Sequence, residues 1–86
     1  MKFLAISTNN GDPTPHIAAE AARTTELVDA GVIERVLLKA DWSGAVLVLD
    51  VPDIAAAHAA LDSLPLVSRG LTRFELTEVI EAPVIG

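Results

Sequence analysis

Two histidines carry most of the acid–base chemistry open to this sequence. His58 recurs with Ile54, Ala57 and Leu61 at i, i+3, i+4 and i+7 spacing, which would set it on the buried stripe of a short helix. An imidazole held there can take and return a proton near neutral pH. It can equally be a packed side chain with one hydrogen bond to backbone, the ordinary state of a buried polar group. His16, Glu20 and Arg23 fall at i, i+4 and i+7, so one helical face carries a base, a carboxylate and a cation. Such a trio can orient an imidazole and bind an acidic substrate group, or can be a solvated face with ordinary i,i+4 pairing.

Four further charges sit on strand-like segments. Arg35 and Lys39 share one side of one segment, and Arg73 and Glu75 share one side of another. Buried unpaired they would be too costly. They therefore pair across a subunit contact, face a wet pocket that receives a carboxylate, or guard a sheet edge. Trp42, the one tryptophan, stands beside Asp41 in a tight connection, placed either to close over a pocket or to anchor the turn against a partner. No glycine-rich phosphate loop, nucleophile elbow or metal-ligand spacing is present, so no cofactor and no metal are expected.

The elements that position these residues are organised around Gly44 to Leu66, GAVLVLDVPDIAAAHAALDSLPL. Ala45 to Val51 is apolar without alternation, the mark of a strand covered on both faces and central in its sheet. Asp53 after Pro52 is an N-cap candidate for the helix that follows, and Pro65 ends that helix. Before this stretch, Lys2 to Thr8 reads as a first strand and Asn9 to Pro13 as a loop. Asp12 before Pro13, or Thr14 before Pro15, can cap the next helix, with the second pair favoured. That helix runs from Pro15 to Ala30, with Ile17, Ala21, Thr24 and Val28 as one stripe, and Gly31 stops it. Val32 to Ala40 is a second strand, with Ile33, Arg35, Leu37 and Lys39 on one face. The four residues Asp41 to Gly44 then close an antiparallel hairpin. Leu71 to Ile80 is the last strand, and Glu81 to Gly86 a tail free to dock on a neighbour.

The order is β-α-β-β-α-β, a ferredoxin-like α+β domain with a four-stranded antiparallel sheet. One such domain accounts for all 86 residues and has a marginal core for its size. There is no cysteine to staple it. Hydrophobic residues are 51% of the chain and mean hydropathy is +0.46, yet no run is long enough to span a membrane. Two helices cover one sheet face only, so the other face calls for a second sheet, most simply that of another copy: a homodimer at least. Twelve acidic against six basic residues, net −6, exclude a basic nucleic-acid-binding stripe. The start, Met1-Lys2 followed at once by a strand, carries no signal-peptide pattern. A cytoplasmic homo-oligomer bound neither to membrane nor to nucleic acid is expected.

Several of these residues resemble the muconolactone isomerase family and the YCII-like proteins, within the wider set of dimeric α+β barrels. They are Asp50-Val51-Pro52 at the strand-to-helix turn, then His58, Leu61 and Leu64-Pro65-Leu66 at matching spacing, and the segment Pro65 to Leu71 leading into the last strand. The second strand is more aliphatic here than the Arg-, His- and Trp-bearing strand of muconolactone isomerases. The resemblance implies a cofactor-free pocket enzyme, isomerase- or cyclase-like, acting on a small unsaturated lactone or polyketide-type molecule. His58 or His16 would shuttle the proton while an arginine holds an anionic oxygen; Arg35, Lys39, Trp42, Arg73 and Glu20 would contact the substrate. A non-catalytic ligand-binding or self-assembling module of the same fold is the alternative.

Overall fold

The computed structural model describes residues 1–84. Its elements are β1 (Lys2–Asn9), a 3-10 turn (Thr14–His16), α1 (Ile17–Asp29), β2 (Ile33–Leu38), β3 (Ala45–Asp50), α2 (Ile54–Asp62), α3 (Pro65–Ser68) and β4 (Thr72–Val79). The sheet is antiparallel in the order β2-β3-β1-β4. The α+β ferredoxin-like fold expected from the sequence is the one observed, with β1 and β3 central and β2 and β4 at the edges.

Register sorts the side chains into two faces. Phe3, Ala5 and Ser7 pair along β1 with Leu76 and Phe74 of β4 and Leu47 and Leu49 of β3 on the face covered by the helices. There they meet Leu27, Ala57, Leu61 and Leu64, and these residues make the core. Leu4, Ile6, Val46 and Val48 point to the opposite face, which no element covers among the described residues. Ile6 is 38% exposed.

Local chemistry explains most boundaries. Asp53 adopts an extended conformation and its carboxylate accepts the Ala56 N–H at 2.8 Å, capping α2 as expected. At the end of α1, Gly31 takes φ +78. The Val32 N–H donates to Leu27 O at 2.9 Å and the Gly31 N–H to Val28 O at 3.0 Å, a Schellman closure that only a residue at ease in the left-handed region makes cheaply.

Three readings need correction. Thr14 does not cap the first helical segment but is its first residue, with Pro13 at the N-cap position and Pro15 inside the 3-10 turn; Asp12 Oδ1, just outside, accepts the Thr14 N–H at 3.0 Å. Pro65 both ends α2 and opens the unforeseen α3, because its missing N–H costs nothing in a first helical turn. In β2 the register shifts between Ile33 and Arg35. Glu34 and Arg35 together oppose Val48, a bulge that puts Ile33 on the helix-covered face with Val36 and Leu38. Arg35, Leu37 and Lys39 remain on the open face. Of the tail, residues 85–86 lie outside the described residues; Glu81 to Val84 is exposed and irregular.

Candidate functional site

Helix α1 leans on the sheet at one end only. Its one buried residue is Leu27, in the last turn, next to the Gly31 closure that ties the chain back into β2. Toward its start, Ile17 is 55% exposed, and the Ile17, Ala21, Thr24, Val28 stripe faces a gap instead of a packed surface. That gap is a cavity of about 570 Å³ between α1 and the helix-covered face of the sheet.

Its floor is Ser7, Val36, Leu38, Leu47 and Phe74, drawn from all four strands. Its roof is Ile17, Ala21, Thr24 and Val28, with Leu64 and Leu66 closing one end and Trp42 standing at the rim. The walls are overwhelmingly apolar, the usual build of a small-molecule site. Glu20 is the one ionisable side chain that lines it among the described residues.

Glu20 reaches the cavity from the first turn of α1. Its Oε1 accepts the Leu66 N–H at 3.0 Å, one of the otherwise orphaned donors at the start of α3. Burial pushes the Glu20 carboxyl above the usual carboxylate range, and the Leu66 hydrogen bond only partly offsets this. A half-buried carboxyl raised in this way is a functional-site signature with a physical cause.

Trp42 is held over the rim by a strained turn. It adopts φ 65, a conformation that costs a bulky L-residue energy, while its side chain stays 76% exposed. The turn is fixed by the Trp42 N–H donating to Lys39 O at 2.9 Å and by Asp41 Oδ1 accepting the Ser43 N–H at 3.0 Å. Hydrogen bonding from the Ser43 side chain, and then from the Ser43 N–H, holds the Asp41 carboxyl below its ordinary range.

The other candidates go elsewhere. His58 is exposed, not on the buried stripe expected of it: Ala57 and Leu61 alone carry the burial of α2, and Ile54 is 52% exposed. It lies with Asn10, Asp62 and Arg73 at a smaller concavity of about 320 Å³ on the far side of Phe74. His16 stands at the N-cap of α1 and lines neither hollow. The His16–Glu20–Arg23 trio does not form a relay: Glu20 turns to Leu66, while Arg23 Nε donates to Ser63 Oγ at 3.0 Å and its Nη1 to Glu26 at 3.2 Å. Arg35 and Lys39 lie on the open face of the sheet, Lys39 Nζ 3.4 Å from Thr8 Oγ1, so neither reaches the large cavity. Glu20 and Trp42 are the two candidates the fold brings together around it.

Asn9 and Thr24 also line the cavity and were not singled out as site residues by sequence. Asn9 reads as a turn former beside Asn10, and Thr24 as one position of an apolar stripe. Among the described residues no group of three or more His, Asp or Glu side chains gathers as a metal site would require, and no helix is long and apolar enough to cross a membrane.

No protein-family model matches the sequence, and no curated protein matches it. Among solved structures, 5-chloro-2-hydroxyhydroquinone dehydrochlorinase (TftG) from Burkholderia phenoliruptrix AC1100, in complex with 2,5-dihydroxybenzoquinone, superposes with a TM-score of 0.80. The match is 18% identical in sequence and covers 95% of this chain and 96% of that one. The likeness establishes a shared ferredoxin-like α+β fold.

Proposed function

We propose that this protein is a cofactor-free, isomerase- or cyclase-like enzyme that moves a proton within a small unsaturated ring molecule bound between α1 and the sheet. The substrate is lactone- or polyketide-like, in keeping with the muconolactone isomerase and YCII-like resemblance of the Asp50–Pro52 turn and the segments after it. Glu20 takes the proton from one atom of the substrate and returns it to another, so no oxidant or second reactant is needed. The observation that carries this reading is the lone carboxyl in an apolar cavity, raised by burial. A carboxylate so raised is a stronger base in its charged form and a ready acid once protonated. Trp42 offers an aromatic face on which a planar ring can stack at the rim. That a protein of the same fold holds 2,5-dihydroxybenzoquinone supports a ring-sized occupant.

The working unit is a cytoplasmic homodimer joined through the open sheet face. Leu4, Ile6, Val46 and Val48 form its apolar centre, with the Lys2–Glu34 ion pair, 2.7 Å, at its margin. Surplus apolar area on one side of a small sheet is what a second copy would bury.

A second reading rests on the smaller concavity that His58 lines: His58 as the proton carrier, without Arg73, whose register opposite Thr8 turns its side chain to the open face of the sheet. One experiment separates the two. Unsaturated lactones and enolisable polyketide-like rings are incubated with the protein in deuterated water, and solvent deuterium entering a ring carbon is followed by NMR. Exchange lost in Glu20→Gln and kept in His58→Ala and His16→Ala supports the cavity. Exchange lost in His58→Ala and kept in Glu20→Gln moves the chemistry to the smaller hollow. Ligand binding with no exchange for any ring leaves a non-catalytic binding module.

A further inference from the structure

The charged hydrogen-bonding capacity of the large cavity is one-sided: Glu20 offers an acceptor and, among the described residues, no cationic side chain lines it. Its hydroxyl donors are mostly committed to backbone. Thr25 Oγ1 donates to Ala21 O at 2.9 Å, Thr72 Oγ1 to Thr8 O at 3.2 Å and Ser7 Oγ to Ala45 O at 3.4 Å. Ser7 Oγ is further occupied by accepting the Ala45 N–H at 2.8 Å. Asn9 turns its amide nitrogen toward Trp42 O at 3.5 Å, leaving its carboxamide oxygen as an acceptor. Glu20 uses Oε1 on Leu66, and among the described residues no donor pairs with Oε2. Thr24 keeps the one lining hydroxyl with no partner among them, and at the exposed rim the Trp42 indole N–H also has none. No Lys, Arg or His lines the cavity.

Taking this cavity as the site proposed above, we infer that its substrate is a neutral ring bearing an enolic or phenolic hydroxyl, bound by that hydroxyl donating to Glu20, and that carboxylate-bearing rings are refused. Apolar walls and an acceptor with no protein donor favour a ligand that donates, since an acceptor facing the half-buried Glu20 displaces water without replacing its hydrogen bond. A carboxylate would also set a second negative charge against Glu20 with no cation in the lining to offset it. The same hydroxyl supplies the proton for the reaction. The O–H bond breaks, its electron pair stays on oxygen as an enolate, and the proton rests on Oε2 until it is returned to a ring carbon, giving the keto tautomer. This replaces the arginine-held anionic oxygen expected from the sequence with a hydroxyl held by a carboxyl.

The test uses three rings of similar size: resorcinol, its dimethyl ether and benzoate. Binding to the whole chain near neutral pH is measured by isothermal titration calorimetry, with the emission of Trp42, the only tryptophan, reporting occupancy of the rim. Resorcinol is expected to bind about tenfold or more tightly than either other ring. In Glu20→Gln, whose amide oxygen can still accept the Leu66 N–H and whose NH₂ can donate to a carboxylate, the gap between resorcinol and benzoate should close to within about threefold. Benzoate or the dimethyl ether binding the wild type as tightly as resorcinol would overturn the inference while leaving the cavity as a binding site. A gap that persists in Glu20→Gln overturns the assignment to Glu20. Failure of all three rings to bind, with Trp42 emission unmoved, overturns the proposed site itself. The wild-type ranking decides the substrate class even if the variant does not fold.

Discussion

Glu20 and Leu66, separated by 46 positions in the chain, meet at 3.0 Å, carboxylate oxygen to backbone N–H. One oxygen of the Glu20 side chain thereby serves the fold, tying α1 to the start of α3, and leaves the other for the cavity. The tie stands at the level where α1 has begun to part from the sheet.

The stability of the protein should carry the mark of this carboxyl. Its folded value lies above its unfolded one because burial disfavours the charge. The folded state therefore holds the proton more readily. The associated stability is fully present below the unfolded-state value and is lost as pH rises through the folded one. Glu20→Gln is neutral at every pH and escapes that loss. Its melting temperature relative to wild type should be least favourable near pH ~4 and should improve steadily toward pH ~7. A difference that stays constant across this range would show that the carboxyl is not perturbed.

Gly44 allows the hairpin that carries Trp42 to press against β1. A Cβ built there overlaps the Ser7 carbonyl oxygen, which is backbone of the central strand β1 and cannot move aside freely. Gly44→Ala should cost about 3 kcal/mol, at the upper end for overpacking a rigid site, read as a shift of the urea midpoint without a change of slope. A loss below about 0.5 kcal/mol, the range of ordinary surface changes, would show that the hairpin yields freely.

Elements whose cause is local were legible in the sequence; those set by a distant partner were not. Asp53 declares itself because a cap needs only the next three residues, and Gly31 because a Schellman closure is made within six. The β3 run shows its central place because both of its faces must be apolar. The Glu34–Arg35 bulge is invisible to period-2 reading: one extra residue reverses the parity, and Ile33 parts from Arg35 although alternation joins them. His58 was misplaced because helical spacing defines a stripe without fixing its width. Ala57 lets α2 sit close to the sheet, so Ile54 and His58 fall outside the contact. Glu20 was legible as a charged residue on a helix, but its raised carboxyl depends on α3, an element the sequence did not announce.

The open sheet face yields a prediction about assembly. Ile6 is on a central strand, between Val46 and Glu75 in register, and partly exposed in the single chain. Ile6→Glu should leave the monomer fold intact by circular dichroism, since the residue packs on no covered core. If the wild-type chain sediments as the proposed dimer, Ile6→Glu should sediment as a monomer, because a charge buried unpaired between two sheets costs several kcal/mol. A wild-type chain that sediments as a monomer at micromolar concentration would reject this interface.

Trp42 yields a prediction in which stability and binding part company. Its φ of 65 lies in the left-handed region, where a residue bearing a Cβ pays roughly 1–2 kcal/mol that glycine does not. The exposed indole offers little packing in return. Trp42→Gly should therefore melt higher than wild type, by an amount equivalent to about 0.5–1 kcal/mol after allowing for the greater freedom of glycine in the unfolded chain. The same variant should bind ring ligands less tightly, because the rim of the cavity loses its aromatic face. Higher melting with weaker ligand binding identifies the strain as a cost retained for the site. Lower melting would show that the indole packs in solution against something else, the partner subunit being the obvious surface, and Trp42 would then belong to the assembly instead of the cavity.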